Sequence, residues 1–201
     1  MNMEKNKLFG LILAGGHSKR MGQDKALLSY HGKPQVEHVR DLLEGVCAKV
    51  FISAKGRGTV YTVPLIACPL LVDDPQFADA GPLTGILSAM TAHPDVSWLV
   101  MACDLPFVTA ETLQYLLKNR DITRPATAFI STNDGLPEPL CAVWEHHGSK
   151  AFLEFFKKGL HCPRKILIKS NARLIAQKDP HWLDNVNTPE EYQQVLAIIR
   201  G

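Results

Sequence analysis

Residues 10–25, Gly-Leu-Ile-Leu-Ala-Gly-Gly-His-Ser-Lys-Arg-Met-Gly-Gln-Asp-Lys, set Gly15 and Gly16 directly behind a short apolar run, with Arg20 and Lys25 following. Paired glycines let the backbone pass close to a ligand. Open N–H groups beside Arg and Lys suit a polyphosphate. Arg matches bidentate oxygen pairs, whereas Lys brings a compact charge to phosphate oxygens. Two acids, Asp74 and Asp104, each close an apolar run further along. A carboxylate at a strand end can hold a hard cation such as Mg2+, which takes one or two protein carboxylates beside phosphate oxygens. Each residue has a plainer reading: a solvated basic turn for Arg20 and Lys25, a turn cap for Asp74 and Asp104. Neither G-x-x-x-x-G-K-[ST] nor G-x-G-x-x-G is present, which excludes a Walker loop and a dinucleotide fingerprint.

Elements must bring these residues together. Residues 7–14 read as a strand buried on both faces, with the phosphate loop over 15–25. A short extended piece then turns at His31-Gly32. Val36, Val39, Leu42 and Leu43 fall at helical spacing over Gln35–Leu43, and Gly45 ends the helix. Lys49–Ser53 is a second strand. The third is either 65–68 or 69–72, because Pro64 and Pro69 both punctuate the run. Gly81-Pro82-Leu83-Thr84-Gly85 opens a helix over Ile86–His93, with Pro82 suited to a first turn. A strand over 97–103 leads through Asp104 to a helix over 110–118. Thr109 is its cap, and Thr109 with Thr112 falls short of a full capping box.

Strands alternating with helices to residue 118 imply a mostly parallel sheet covered on both faces. Ligands bind at the carboxyl ends of such strands. The phosphate loop, Ser53, Asp74 and Asp104 all stand at strand carboxyl ends, which argues for one shared site. Beyond 118 come a strand over 126–131, a turn at Asn133-Asp134-Gly135 and a returning strand over 138–144. Helices follow over 147–158 and 163–169, then a strand over 173–176. Thr188, Pro189 and Glu191 begin a terminal helix with a capping box.

Composition narrows the class. With 201 residues, 46% apolar and 21% charged, the chain suits one soluble domain, and a formal charge of +2 gives no argument for nucleic acid. The five cysteines are scattered without a C-x-x-C pair, so neither zinc nor redox chemistry is indicated. No membrane span or signal peptide is read, and a reducing cytoplasm is the default.

The segment Leu13-Ala14-Gly15-Gly16-x-Ser18-x-Arg20-Met21-Gly22-x-Asp24-Lys25 resembles the signature loop of nucleotidyltransferases with a GT-A-like fold. Within them the chain is most similar to the molybdenum cofactor guanylyltransferases. Cys103-Asp104-Leu105-Pro106 resembles that family's metal-binding Cys-Asp-x-Pro, and Gly81-Pro82-Leu83-Thr84-Gly85 its Gly-Pro-Leu-x-Gly. The resemblance implies a three-layer, Rossmann-like α/β fold in a single domain over 1–201. Its nucleotide half would be about 1–118 and its acceptor half about 119–201. It implies transfer of GMP from GTP to molybdopterin or its molybdenum-loaded form, with release of pyrophosphate.

Residue by residue, the resemblance puts Leu13, Ala14, Gly15, Gly16, Lys25, Ser53, Asp74 and Gly81 on the nucleotide. Arg20, Lys25 and Asp104 serve catalysis, with Asp104 on Mg2+. Asp74, seven residues before Gly81, is the carried-over acid, and Asp73 is not. Ser53 departs from the family, where an Asn often stands. Asp134-Gly135-x-Pro137-Glu138-Pro139-Leu140 and Asn185-Val186-Asn187-Thr188-Pro189 resemble acceptor-side segments, which puts Asn185 and Asn187 near the pterin; locally, a loop and helix cap explain them as well. Trp98, Trp144 and Trp182 are read as packing residues. Partners implied are other cofactor-biosynthesis proteins or a recipient molybdoenzyme, not nucleic acid or membrane. Two other classes stay open: a cytidylyl- or sugar-phosphate nucleotidyltransferase, and a nucleotide-binding accessory protein.

Overall fold

Strand side chains alternate between two faces, and here both faces are apolar. The computed structural model describes residues 8–14, 25–55 and 68–200. Its strands are β1 (Leu8–Leu13), β2 (Lys49–Ala54), β3 (Leu70–Val72), β4 (Ser97–Ala102), β5 (Ala126–Ile130), β6 (Pro137–Trp144) and β7 (Arg173–Ala176). They form one sheet in the order β3-β2-β1-β4-β6-β5-β7. Among the described strands, β6 alone runs against the rest. The helices are α1 (Gln35–Glu44), α2 (Pro82–Ala92), α3 (Ala110–Lys118), α4 (Ser149–Lys157), α5 (Pro163–Lys169) and α6 (Pro189–Arg200).

Leu8, Ile12, Val50, Ile52, Leu99, Met101 and Val143 face α1 and α3, meeting Val36, Val39, Leu43, Leu113 and Leu116. The alternate residues Leu11, Phe51, Trp98, Val100, Ala142 and Trp144 face α2, α4 and α5. Three layers result, an α/β fold of Rossmann type. Helix α6 sits apart from both faces: Val195 and Leu196 pack on Leu28, Tyr30 and Val186. All three tryptophans are buried.

Several boundaries differ from the sequence reading. The third strand is Leu70–Val72, with Leu71 opposite Ser53 of β2; residues 65–67 lie outside the described residues. The helix expected over 147–158 starts as a 3-10 turn, His146–Gly148, before α4. Thr109 and Thr112 do form a capping box: Thr109 N donates to Thr112 Oγ1 (3.1 Å) and Thr112 N to Thr109 Oγ1 (3.4 Å). A threonine hydroxyl at the third helical position reaches back as a carboxylate would.

One interaction deep in the fold was not legible in the sequence. Glu145 is 2% exposed. Its carboxylate accepts from Arg120 Nε (2.6 Å) and Nη2 (2.7 Å) and from Ser97 Oγ (2.6 Å). The pair ties the start of β4 to the end of β6 and to the segment after α3.

From β1 the chain crosses through α1 to β2 on one side. From β3 it crosses through α2 to β4 on the other side. The strand order therefore reverses between β1 and β4. A crevice opens at such a point, outside the strand carboxyl ends.

Candidate active site

A cleft of about 440 Å³ lies at that crevice. Leu13 and Ala14 line it from the end of β1, and Ala102, Cys103 and Asp104 from the end of β4. Ser53 and Lys55 come from β2, Asp73 from the end of β3, and Gly81, Pro82 and Gly85 from the start of α2. Lys25, Leu140 and Asn187 complete the lining. Gly15, Gly16 and Arg20 lie outside the described residues.

Lys25 is the hub of one end. Its Nζ donates to Asp104 Oδ2 (3.2 Å) and to Asn187 Oδ1 (2.7 Å). An ammonium has three donors, and two are taken among the described residues, so the third can face an anion in the cleft. The Lys25 side chain is 16% exposed and that of Asp104 27%. Solvent screening is therefore partial, and the pair keeps access to the cavity. The geometry of Asn187 comes from the cap of α6. Glu191 Oε2 accepts from Asn187 N (2.6 Å) and Thr188 N (3.2 Å), and Thr188 Oγ1 accepts from Glu191 N (3.2 Å). Next to it, Val186 N donates to Asp104 O (3.0 Å). Residues 25, 104 and 187 thus meet although far apart in the chain.

The other end is built by β2, β3 and α2. Ser53 Oγ donates to Asp73 Oδ1 (2.7 Å). Burial pushes the Asp73 carboxyl above its usual range; the Ser53 hydrogen bond and the Lys55 charge oppose that. Gly81 caps α2 with φ 59° and ψ −133°, a conformation L side chains rarely adopt. Gly85 is needed for contact: a Cβ there would stand 2.5 Å from Ser53 Oγ and 2.9 Å from Leu13 Cδ2.

Two placements correct the sequence reading. Asp73, not Asp74, lines the cleft. The Asp74 carboxylate caps the 3-10 turn Pro75–Phe77, accepting from Gln76 N (3.0 Å) and Gln76 Nε2 (2.7 Å). Asn185 is exposed and outside the lining, whereas Asn187 is within it. Lys55 was not anticipated; its one signal is a cation just past a strand end. Arg164 was also missed. It pairs with Asp134 (2.6 Å) and Glu138 (3.6 Å), two residues from the lining Leu140. Burial raises the Glu138 carboxyl, while Arg164 opposes the shift.

Asp104 is suited to a divalent ion. It presents a carboxylate to the cleft, and its Oδ1 has no hydrogen-bond partner among the described residues. No cluster of three or more His, Cys, Asp or Glu occurs among the described residues. A hard cation here would complete its shell with substrate phosphate oxygens and water, the habit of Mg2+.

Comparison with known proteins gives the chain a family. Residues 10–173 match the MobA-like NTP transferase domain family. A chain from Trichormus variabilis, named a probable molybdenum cofactor guanylyltransferase, is 32% identical over 197 residues, covering 98% of this chain and 92% of that one. A molybdenum cofactor biosynthesis bifunctional protein of Synechocystis sp. is 37% identical over 194 residues, 96% of this chain; the chain spans 55% of that relative's length. The structure of molybdopterin-guanine dinucleotide biosynthesis protein A from Archaeoglobus fulgidus superposes with a TM-score of 0.78 at 20% identity, covering 96% of this chain and 98% of that one. That last likeness is one of fold.

Proposed function

The chain belongs to the MobA-like NTP transferase family, and from that premise we propose that it is a guanylyltransferase joining GMP from GTP to molybdopterin. A dinucleotide product requires a phosphate oxygen of the acceptor as attacker. It forms a bond to the α-phosphorus of GTP, and the bond from that phosphorus to the β-phosphate bridging oxygen breaks. Pyrophosphate leaves with the electron pair.

Little covalent work falls to side chains; holding and charge stabilisation matter most. Lys25 turns its remaining donor to the polyphosphate and stabilises the charge that grows on the leaving group. Asp104 would hold Mg2+, whose contribution when bound is to neutralise phosphate oxygens. Arg20 would add a bidentate contact from the signature loop. Leu13, Ala14, Gly15, Gly16, Ser53 and Gly81 would face the nucleotide. Asn187 holds Lys25 from the acceptor side. The observation that carries the reading is that one ammonium joins Asp104 of the nucleotide half to Asn187 of the acceptor half in one cleft.

The acceptor would be molybdopterin or its molybdenum-loaded form. Handing the product to another cofactor-biosynthesis protein or a molybdoenzyme belongs to the same proposal. So does a cytoplasmic location; among the described residues no helix is long and apolar enough to cross a membrane. Ser53, where the resembled family often has Asn, keeps a CTP-using reaction as the second reading. Incubating the protein with Mg2+, each NTP in turn and molybdopterin, then weighing the product by mass spectrometry, tests both. A guanine dinucleotide made with GTP alone is expected; no adduct with GTP would overturn the proposal.

A further inference from the structure

The cleft has two chemically different ends. Lys25, Asp104 and Asn187 form one, while Ser53, Lys55, Asp73, Gly81 and Gly85 form the other. Between the carboxyl ends of β4 and β3 lie three strand-to-strand steps, about 14 Å at the usual spacing. That is the scale of an extended nucleotide. With polyphosphate on Lys25, the base is carried to the far end. Gly81 leaves that wall open to a flat ring, since a Cβ there would meet nothing within 4 Å, while Gly85 lets α2 close on Ser53 and Leu13.

Asp73 stands in that wall as an acceptor looking for donors. One oxygen is held by Ser53, and Oδ2 has no hydrogen-bond partner among the described residues. A guanine offers two neighbouring donors, N1–H and the 2-amino group. Adenine offers an N1 acceptor there, which would leave the carboxylate facing a lone pair in a partly desolvated place. A polar group forced to stay unpaired is how such a site rejects the wrong ligand.

We propose that Asp73 reads the N1–H and 2-amino edge of a guanine, with Ser53 as the positioning residue that fixes its carboxylate. This rests on the guanylyltransferase reading and adds the residue that selects the base. The sequence reading had put Asp74, the next acid, on the nucleotide.

Exchanging the carboxylate for an amide provides the test. An Asn would accept from N1–H and donate to a 2-oxo group, the pattern of xanthine. Binding of GTP, XTP, ITP, ATP, CTP and 2′-deoxy-GTP would be measured by titration calorimetry on wild type, Asp73→Asn and Ser53→Ala. We expect wild type to bind ITP, which lacks the 2-amino group, about tenfold or more weakly than GTP. In Asp73→Asn, GTP should weaken about tenfold to a hundredfold while XTP tightens, inverting the preference. Ser53→Ala should narrow the GTP-to-ATP ratio several-fold with the charge intact, and an unchanged ratio would remove Ser53 from the proposal.

Equal weakening for every nucleotide, or no gain for XTP, would overturn the role of Asp73. So would a variant that loses only the distinction between GTP and 2′-deoxy-GTP, which would place Asp73 on the ribose. Should Asp73→Asn not fold, equal affinity of wild type for GTP and ITP overturns the proposal by itself. Wild type preferring CTP to GTP would instead sink the guanylyltransferase reading, a result separable from these.

Discussion

Lys25 holds two partners at once, and each contact predicts a different loss. Replacing Asp104 by Asn keeps size and hydrogen bonding to Lys25 but removes the negative charge a cation needs. Turnover should fall by about a hundredfold or more with the melting temperature nearly unchanged; turnover at the wild-type rate would take Asp104 off the metal. Replacing Lys25 by Ala removes the cation facing the leaving group. Calorimetric titration should show GTP affinity reduced about tenfold or more, and GMP affinity much less; equal losses would place Lys25 away from the β- and γ-phosphates. Lys25 and Asp104 were legible because each follows a buried strand and sits in a recognisable motif. The choice between Asp73 and Asp74 was not. Consecutive residues at a strand end point to opposite sides, so one step of register decides which carboxylate meets the cleft. Pro64 and Pro69 left that register open, and only the pairing of Leu71 with Ser53 closes it.

At the scale of elements, the apolar runs and turn residues located the strands and helices to within a few residues, apart from the third strand, left between 65–68 and 69–72. A strand buried on both faces is continuous in sequence, and its neighbours are cut by Gly, Pro or a cap. Sequence marked Gly85 as the end of Gly-Pro-Leu-x-Gly but could not see that it lets α2 settle on Ser53 and Leu13, because those partners come from two other elements. Nor could it see Glu145, whose partners lie on other elements. The Arg120–Glu145 pair is buried at the carboxylate and mostly so at the guanidinium, with side chains 2% and 12% exposed. Removing one member of such a pair strands a charge out of water. Arg120→Ala should therefore cost about 3–5 kcal/mol, read as a drop in denaturation midpoint. Nucleotide affinity of the fraction that stays folded should be unchanged, since the pair lies at the opposite strand ends from the cleft. A loss below about 1 kcal/mol would mean solvent reaches the carboxylate and screens it.

For the molecule as a whole, a stacked histidine pair lies against the segment that follows Asp104. His31 and His38 rings lie 3.8 Å apart. His31 Nε2 meets Pro106 O at 3.0 Å, and His38 lies beside the Val108 backbone, which pulls its pKa up. Spacing along the chain could not have brought residues 31 and 38 to 106–108, because the contact exists only once the sheet has placed β4 beside β1. His38 is pushed down to about 4, first by burial and then by His31 and Lys33, against the smaller pull of Val108 and Asp41. An unfolded histidine titrates near 6.5. Between those values the unfolded chain binds a proton that the native chain refuses, so stability rises with pH, and it is lost as pH falls from about 6.5 toward 4. Asp41, Asp121 and Asp134, held below the usual 3.8, yield only in stronger acid. Asp73 and Glu138 are raised and tilt the profile the other way, which is why the difference between two proteins is the useful quantity. His38→Phe keeps a ring against His31 and cannot take a proton. Its melting temperature should fall less steeply than that of wild type between pH 6.5 and 4. Parallel profiles for the two proteins would show that His38 titrates alike in the folded and unfolded states.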